Sequence, residues 1–180
     1  MLVRAWCLLV AASAAGGVWL AAQRYEVWWT ALSQLANLAV AVAFLAFAVR
    51  EPRSPWLRGS LTSLMALVAL AYLPMANGNL AQPWSLLEHV VTPTLVLADF
   101  VVRGDNQHLL RWWHPLTWLA APAAYLAWYV AADLAVYEAL DPHHAAAFLP
   151  RVGVLVALLL AAGFGCYATG RQRRRGTLTP

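Results

Sequence analysis

Glu88, His89 and Asp99 are ionisable side chains in a stretch that otherwise reads as lipid-facing helix, Trp84-Ser-Leu-Leu-Glu-His-Val-Val-Thr-Pro-Thr-Leu-Val-Leu-Ala-Asp99. Hydrocarbon offers such groups no water, so an ionisable residue inside a span points to function or to a specific partner. An imidazole, with an unperturbed pKa of about 6.5, can take a proton from a hydroxyl near neutral pH. His89, Thr92, Val96 and Asp99 are three, four and three residues apart and fall on one helical stripe. Pro93 cannot donate to the carbonyl of His89, which loosens the backbone where the reactive group would sit. Asp99 lies roughly 15 Å along the axis from His89, too far to orient the imidazole directly.

A hydroxyl for such a base stands upstream. In Trp28-Trp-Thr-Ala-Leu-Ser-Gln-Leu-Ala-Asn37, Thr30, Ser33 and Asn37 occupy i, i+3 and i+7 of an otherwise apolar helix. The stripe can present a nucleophile to a base on a neighbouring helix, or simply join helices by hydrogen bonds. His89 likewise has a plain alternative, a buried histidine bonded to Glu88 or to a backbone carbonyl. Metal binding is the rival chemistry, with His89, Asp133, Asp141, His143 and His144 as nitrogen and oxygen donors. The adjacency of His143 and His144 argues against it, since neighbouring residues on a helix point apart. Asp141-Pro-His-His also reads as a solvated turn. No metal or cofactor is expected.

The elements that must position these groups follow from composition. Of 180 residues, 62% are hydrophobic and 11% charged; a soluble domain carries about a quarter charged residues. The expected fold is therefore all-α, an integral membrane bundle. Apolar runs at about 5–22, 28–49, 56–75, 84–102, 114–132 and 150–169 each approach the roughly 20 residues that cross a bilayer. They make a six-helix transmembrane domain over 1–170, followed by a basic tail over 171–180. The first run, with Arg4 and Ala12-Ser-Ala14, imitates a signal peptide and is read as a retained helix. All twelve basic residues are Arg, which excludes a lysine Schiff base. The net charge of +4 sits in loops and tail and reads as topology rather than nucleic-acid binding. Arg4, Arg50, Arg53, Arg58, Arg103, Arg111, Arg171, Arg173, Arg174 and Arg175 fall on one side, Arg24 and Arg151 on the other. With positive charge inside, both termini are cytoplasmic. Thr30 and His89 then lie shallowly beneath the outer face, near the polar loop 133–149. Cys7 and Cys166 lack metal-ligand spacing and read as small core residues. Gly153, Gly163 and Gly165 permit close helix packing.

These residues resemble the androgen-induced and ADTRP family of membrane hydrolases, and more closely its bacterial six-helix relatives. The family pattern of an aromatic, Thr, two residues, Ser and Asn is matched by Trp29-Thr30-Ala-Leu-Ser33-Gln34, with Gln in place of Asn. A His, an apolar run, a Pro and an acid are matched by His89, Pro93 and Asp99. Tyr125-Leu-Ala-Trp128 and Val136-Tyr-Glu-Ala-Leu-Asp141 match two further segments, the second with Glu138 in place of Pro. The resemblance spans helix 2 to the loop before helix 6. It implies hydrolysis of fatty acid esters of hydroxy fatty acids, with Thr30 as nucleophile, Ser33 one turn away as the fallback, and His89 as base.

The expected activity is therefore an intramembrane lipid-ester hydrolase in a bacterial inner membrane, its site facing the extracytoplasmic side. Its partners are membrane lipids and the ester substrate. Glu88, Asn37, Tyr125, Trp128, Tyr137, Asp99 and Asp141 are supporting or substrate-binding candidates. The competing expectations are a non-enzymatic lipid or small-molecule binder or transporter, and a metal-dependent hydrolase.

Overall fold

A computed structural model describes residues 2–51, 54–75, 80–103, 106–134 and 136–176, with the side chains of 73–75 and 173–176 outside the description. Arg53 and the side chains of Arg173, Arg174 and Arg175, which bear on the topology, thus lie outside the described residues. All regular structure among the described residues is helical: α1 (Leu2–Arg24), α2 (Leu32–Val49), α3 (Pro55–Met75), α4 (Pro83–Arg103), α5 (His114–Thr117), α6 (Ala120–Ala131) and α7 (Ala145–Gly176). Short 3-10 turns occupy Trp28–Thr30, Gln107–Leu109 and Glu138–Leu140.

Four of these helices, Leu2–Arg24, Leu32–Val49, Pro83–Arg103 and Ala145–Gln172, are long and apolar enough to cross a membrane. Their outward faces carry large apolar side chains, among them Trp19, Val42, Leu97 and Val154, all about half exposed or more. Water would not tolerate that surface on a soluble globule; lipid solvates it. The run expected as one helix over 114–132 is broken after Thr117, and α6 starts at Ala120. Pro122 has no N–H for the carbonyl of Trp118, which explains the break. The run expected from 28 starts as a helix only at Leu32, and the last helix is longer than expected at both ends.

The bundle centre is built on small residues. In α1, Cys7, Val10, Ala11, Ala14, Gly17, Val18 and Ala21 form the buried stripe, and α2 packs on it more extensively than any other pair of helices packs. Small side chains bring the backbones close, and dispersion contacts replace a hydrophobic force that lipid cannot supply. Val40, Phe44, Met65, Val68 and Val96 complete an apolar core shared by α1 to α4. Of the expected close-packing glycines in α7, Gly163 is the one in contact: a Cβ there would stand 3.0 Å from Pro115, whereas Gly153 and Gly165 face open space. Cys7 and Cys166 are buried free thiols.

One end of the bundle is closed by charge. Asp99 is fully buried and accepts bonds from Arg58 Nε (2.8 Å), Arg103 Nη1 (3.1 Å) and the Trp6 indole (3.0 Å). Glu51 bridges the same two guanidinium groups. Asp99 therefore does not support the His89 site as the sequence suggested. Three donors hold it at the other end, where it ties α1, α3 and α4 together.

Removing one partner from a buried ion pair costs about 3–5 kcal/mol, because the remaining charge is stranded. Arg58→Gln should destabilise the bundle by about that amount in detergent unfolding titrations. A variant as stable as wild type would show that Arg103 and Trp6 suffice for Asp99.

Candidate active site at the junction of two cavities

The site begins with a defect in α4. Residues Leu87–Val91 form one wide turn, in which the Thr92 N–H reaches the carbonyl of Leu87, five residues back. It lies directly before Pro93, as expected where a proline withholds a hydrogen bond from the carbonyl of His89. Glu88 and His89, adjacent in sequence, are both buried there.

Glu88 enters a polar knot between α1, α2 and α4. Its Oε2 accepts from Gln34 Nε2 (3.2 Å), and its carbonyl accepts from Asn37 Nδ2 (3.3 Å). Asn37 Nδ2 also bonds the carbonyl of Ser33 (2.9 Å), and Ser33 stands beside the Glu88 carboxyl. Gly17 makes the space: a Cβ there would come within 2.8 Å of Glu88 Cγ. Among the described residues, Glu88 Oε1, Gln34 Oε1 and Asn37 Oδ1 have no hydrogen-bond partner, so the knot holds acceptor capacity in reserve.

His89 points the other way. Its Nδ1 lies 3.0 Å from the carbonyl of Ser85; since a carbonyl only accepts, Nδ1 carries the hydrogen and Nε2 keeps its lone pair. The ring stacks on Tyr72 at 3.6 Å between centroids and meets the edge of Trp84. Tyr72 is fixed in turn by a 2.5 Å bond between its hydroxyl and that of Ser85. The imidazole is thus oriented by a carbonyl and an aromatic wall, and among the described residues no carboxylate stands behind it.

Three tyrosines close the site, Tyr125 and Tyr129 from α6 and Tyr137 from the segment that follows it. Ala31, extended at the start of α2, provides no side-chain cap; instead the Tyr137 hydroxyl accepts from Leu32 N–H at 2.9 Å, satisfying one orphan donor of the helix start. Tyr125 donates to the carbonyl of Thr30 (2.8 Å), and Tyr129 bonds the backbone of Tyr137. Burial raises the Tyr137 phenol above its ordinary range, so it stays neutral.

Two cavities meet here. One, of about 270 Å³, is walled by apolar residues of α3, α6 and α7 such as Leu67, Val68, Leu126 and Leu155, with Ser33, Tyr72, His89, Tyr125 and Tyr137 also in its lining. The other, of about 710 Å³, is a vestibule of mixed character, more polar than the first, lined by Arg24, Glu26, Thr30, Gln34 and Trp84 among others. Ser33, Tyr72, His89 and Tyr137 border both. An apolar slot beside a more polar chamber, with an acceptor nitrogen and a hydroxyl at their boundary, suits a substrate with one greasy and one polar half.

Several expected residues are placed differently. Thr30 lies on the 3-10 turn Trp28–Thr30, off the helical stripe, because extended Ala31 interrupts it. Its hydroxyl donates to the carbonyl of Val27 (2.9 Å), and it borders the vestibule alone. Among the described residues no hydrogen bond joins His89 to Thr30 or Ser33. Trp128 packs edge-on against Tyr125 and is 40% exposed. Asp141 is bound within its own turn, to the His143 N–H and the His144 ring. Tyr72 and Ser85, which orient the imidazole, carried no motif; a lone tyrosine late in an apolar helix signals nothing until the chain folds.

The histidines of the 133–149 segment form separate pairs, His143 with Asp133 and His144 with Asp141. Among the described residues no group of three His, Cys, Asp or Glu side chains could hold a metal ion. No family model, curated protein or solved structure matches the chain.

The hydrogen bond that the His143 ring donates to the Asp133 carboxylate raises the His143 pKa above its usual 6.5. A raised pKa means the pair's stabilisation is present below about 6.5 and is lost as pH rises through the folded value. An NMR titration should show His143 titrating above 6.5 in the wild type and returning toward 6.5 in Asp133→Asn; the same midpoint in both would exclude the pairing.

Proposed function

We propose that this chain is a membrane-embedded hydrolase of lipid esters that uses His89 as its base. The observation that carries the reading is the position of His89 at the boundary between an apolar slot and a more polar vestibule, with Nδ1 tied to a carbonyl so that Nε2 is the basic nitrogen. An acyl chain in the slot would leave its ester carbonyl at the boundary, and water would reach it through the vestibule. The resemblance to the androgen-induced family supports the same chemistry.

Nε2 would take the proton of a hydroxyl as that oxygen attacks the ester carbonyl carbon. Collapse of the tetrahedral intermediate expels the alcohol part, which receives the proton from the imidazolium. Water, deprotonated by the same nitrogen, then cleaves the acyl-enzyme and releases the fatty acid. Thr30 is the nucleophile that the resemblance marks, and its hydroxyl must leave the Val27 carbonyl to attack. Ser33 is the second reading, favoured because it borders both cavities and stands at the start of α2, where backbone N–H groups favour developing negative charge. Carriage across the membrane is less well supported, since apolar Val40, Phe44, Met65 and Val96 separate the two polar ends.

We further propose six crossings with both termini cytoplasmic, in a bacterial inner membrane, with the vestibule facing outward. The arginine distribution supports this orientation.

With a medium-chain fluorogenic ester and a fluorophosphonate probe, His89→Ala should lower turnover at least 100-fold. Of Thr30→Ala and Ser33→Ala, the one that abolishes labelling marks the nucleophile. Full labelling and turnover in all three variants would overturn the hydrolase. Because both native cysteines are buried, a membrane-impermeant maleimide should label His143→Cys but not Arg171→Cys in intact cells; the reverse pattern would invert the topology.

A further inference from the structure

At the end of the bundle that carries Asp99, the segment after α4 folds back against α7. Its fit is close: a Cβ on Gly170 would stand 2.3 Å from the carbonyl oxygen of Gln107. Together with Gly163 against Pro115, this fixes the segment on the helix and leaves a pocket of about 320 Å³ between them.

The pocket is lined by Arg111, Arg171, His108, Trp112, Trp113 and Tyr167, with Leu110 at its floor. Among the described residues, no carboxylate lines it. The Arg111 guanidinium lies 6.0 Å from the centre of the Trp113 ring, and Arg171 donates to the Tyr167 hydroxyl at 3.0 Å. Among the described residues, neither arginine makes an ion pair. Arg58 and Arg103, near the same end, are by contrast both engaged by Asp99 and Glu51. Among the described residues, the charge balance at this end thus leaves two guanidinium groups facing one concavity without an anionic partner. Trp112 is 63% exposed and Leu109 53%, so an apolar collar adjoins the basic pocket.

We propose that this pocket binds the phosphate of an anionic phospholipid headgroup, with Arg111 and Arg171 donating to the phosphate oxygens and Trp112 and Trp113 lying along the glycerol and upper acyl segments. Guanidinium forks match phosphate geometry, tryptophan favours the level of the headgroups, and anionic lipid draws arginine at a membrane surface. The collar selects the lipid over free phosphate, which has no apolar half to place there. The site is remote from His89 and independent of the hydrolase reading.

The test uses the full chain in detergent, with phosphatidylglycerol and phosphatidylcholine of equal chain length and bound lipid counted by native mass spectrometry. Wild type should retain phosphatidylglycerol in preference to phosphatidylcholine. Arg111→Gln with Arg171→Gln should lower phosphatidylglycerol occupancy roughly tenfold and leave phosphatidylcholine unchanged. Arg4→Gln with Arg50→Gln, which removes the same charge from the expected same face, should have little effect. Unchanged occupancy in the first pair, or equal loss in the second, overturns the site. If the glutamine pair does not fold, Arg111→Lys with Arg171→Lys carries the test: the preference must fall with loss of the fork, and an unchanged preference overturns it. Inorganic phosphate, compared with chloride at equal ionic strength, should not displace the lipid; displacement would assign the pocket to soluble phosphate and overturn the lipid assignment.

Discussion

The wide turn at Leu87–Val91 is the constraint on which the site depends. A regular helix sends adjacent side chains about 100° apart and would not bury both Glu88 and His89 so readily. The extra residue in the turn, next to Pro93, lets both face the interior. Each must then be satisfied by protein, because hydrocarbon supplies no donor or acceptor. Glu88 draws Gln34, Asn37 and Ser33 of α2 toward α4 and requires Gly17 on α1. His89 engages Ser85 and the ring of Tyr72.

The two ends of the bundle meet the same requirement by different chemistry. Near His89 the polar groups are mostly neutral: hydroxyls, amides and a tyrosine that caps a helix start. Neutral groups tolerate partial satisfaction, and among the described residues the amide oxygens of Gln34 and Asn37, with one oxygen of the Glu88 carboxyl, are unpartnered, which leaves capacity for a ligand. Around Asp99 the groups are charged and each oxygen is engaged. A buried charge without partners is far more costly than a buried amide, so that end is closed and rigid while the other can remain open. The apolar core between them keeps the two polar regions separate.

Among the described residues the imidazole has no acid behind it, unlike the serine-hydrolase triad in which a carboxylate orients the base. A carbonyl at Nδ1 fixes the tautomer equally well but adds no negative charge to stabilise an imidazolium. In the proposed hydrolase, such a site would rely on orientation and on dipoles at the start of α2 rather than on a strong base, which would favour activated substrates such as esters over amides.

Much of this was legible from residue types and spacing. The scarcity of charge dictated a helical membrane protein, since only helices or closed barrels satisfy backbone groups in lipid. The burial of His89, Thr92, Val96 and Asp99 on one face followed from a 3.6-residue period, and the irregular backbone from Pro93. Asp99 was recognisably too distant from His89 by helix rise alone. Partners across helices were not legible. Nothing local tells Asp99 that Arg58 and Trp6 will reach it, tells His89 that Tyr72 will stack on it, or moves Thr30 off its helix while Ser33 remains on it. Periodicity reports which way a side chain faces along its own helix; which helix lies opposite, at what depth, and with what space between them is decided only when the bundle packs.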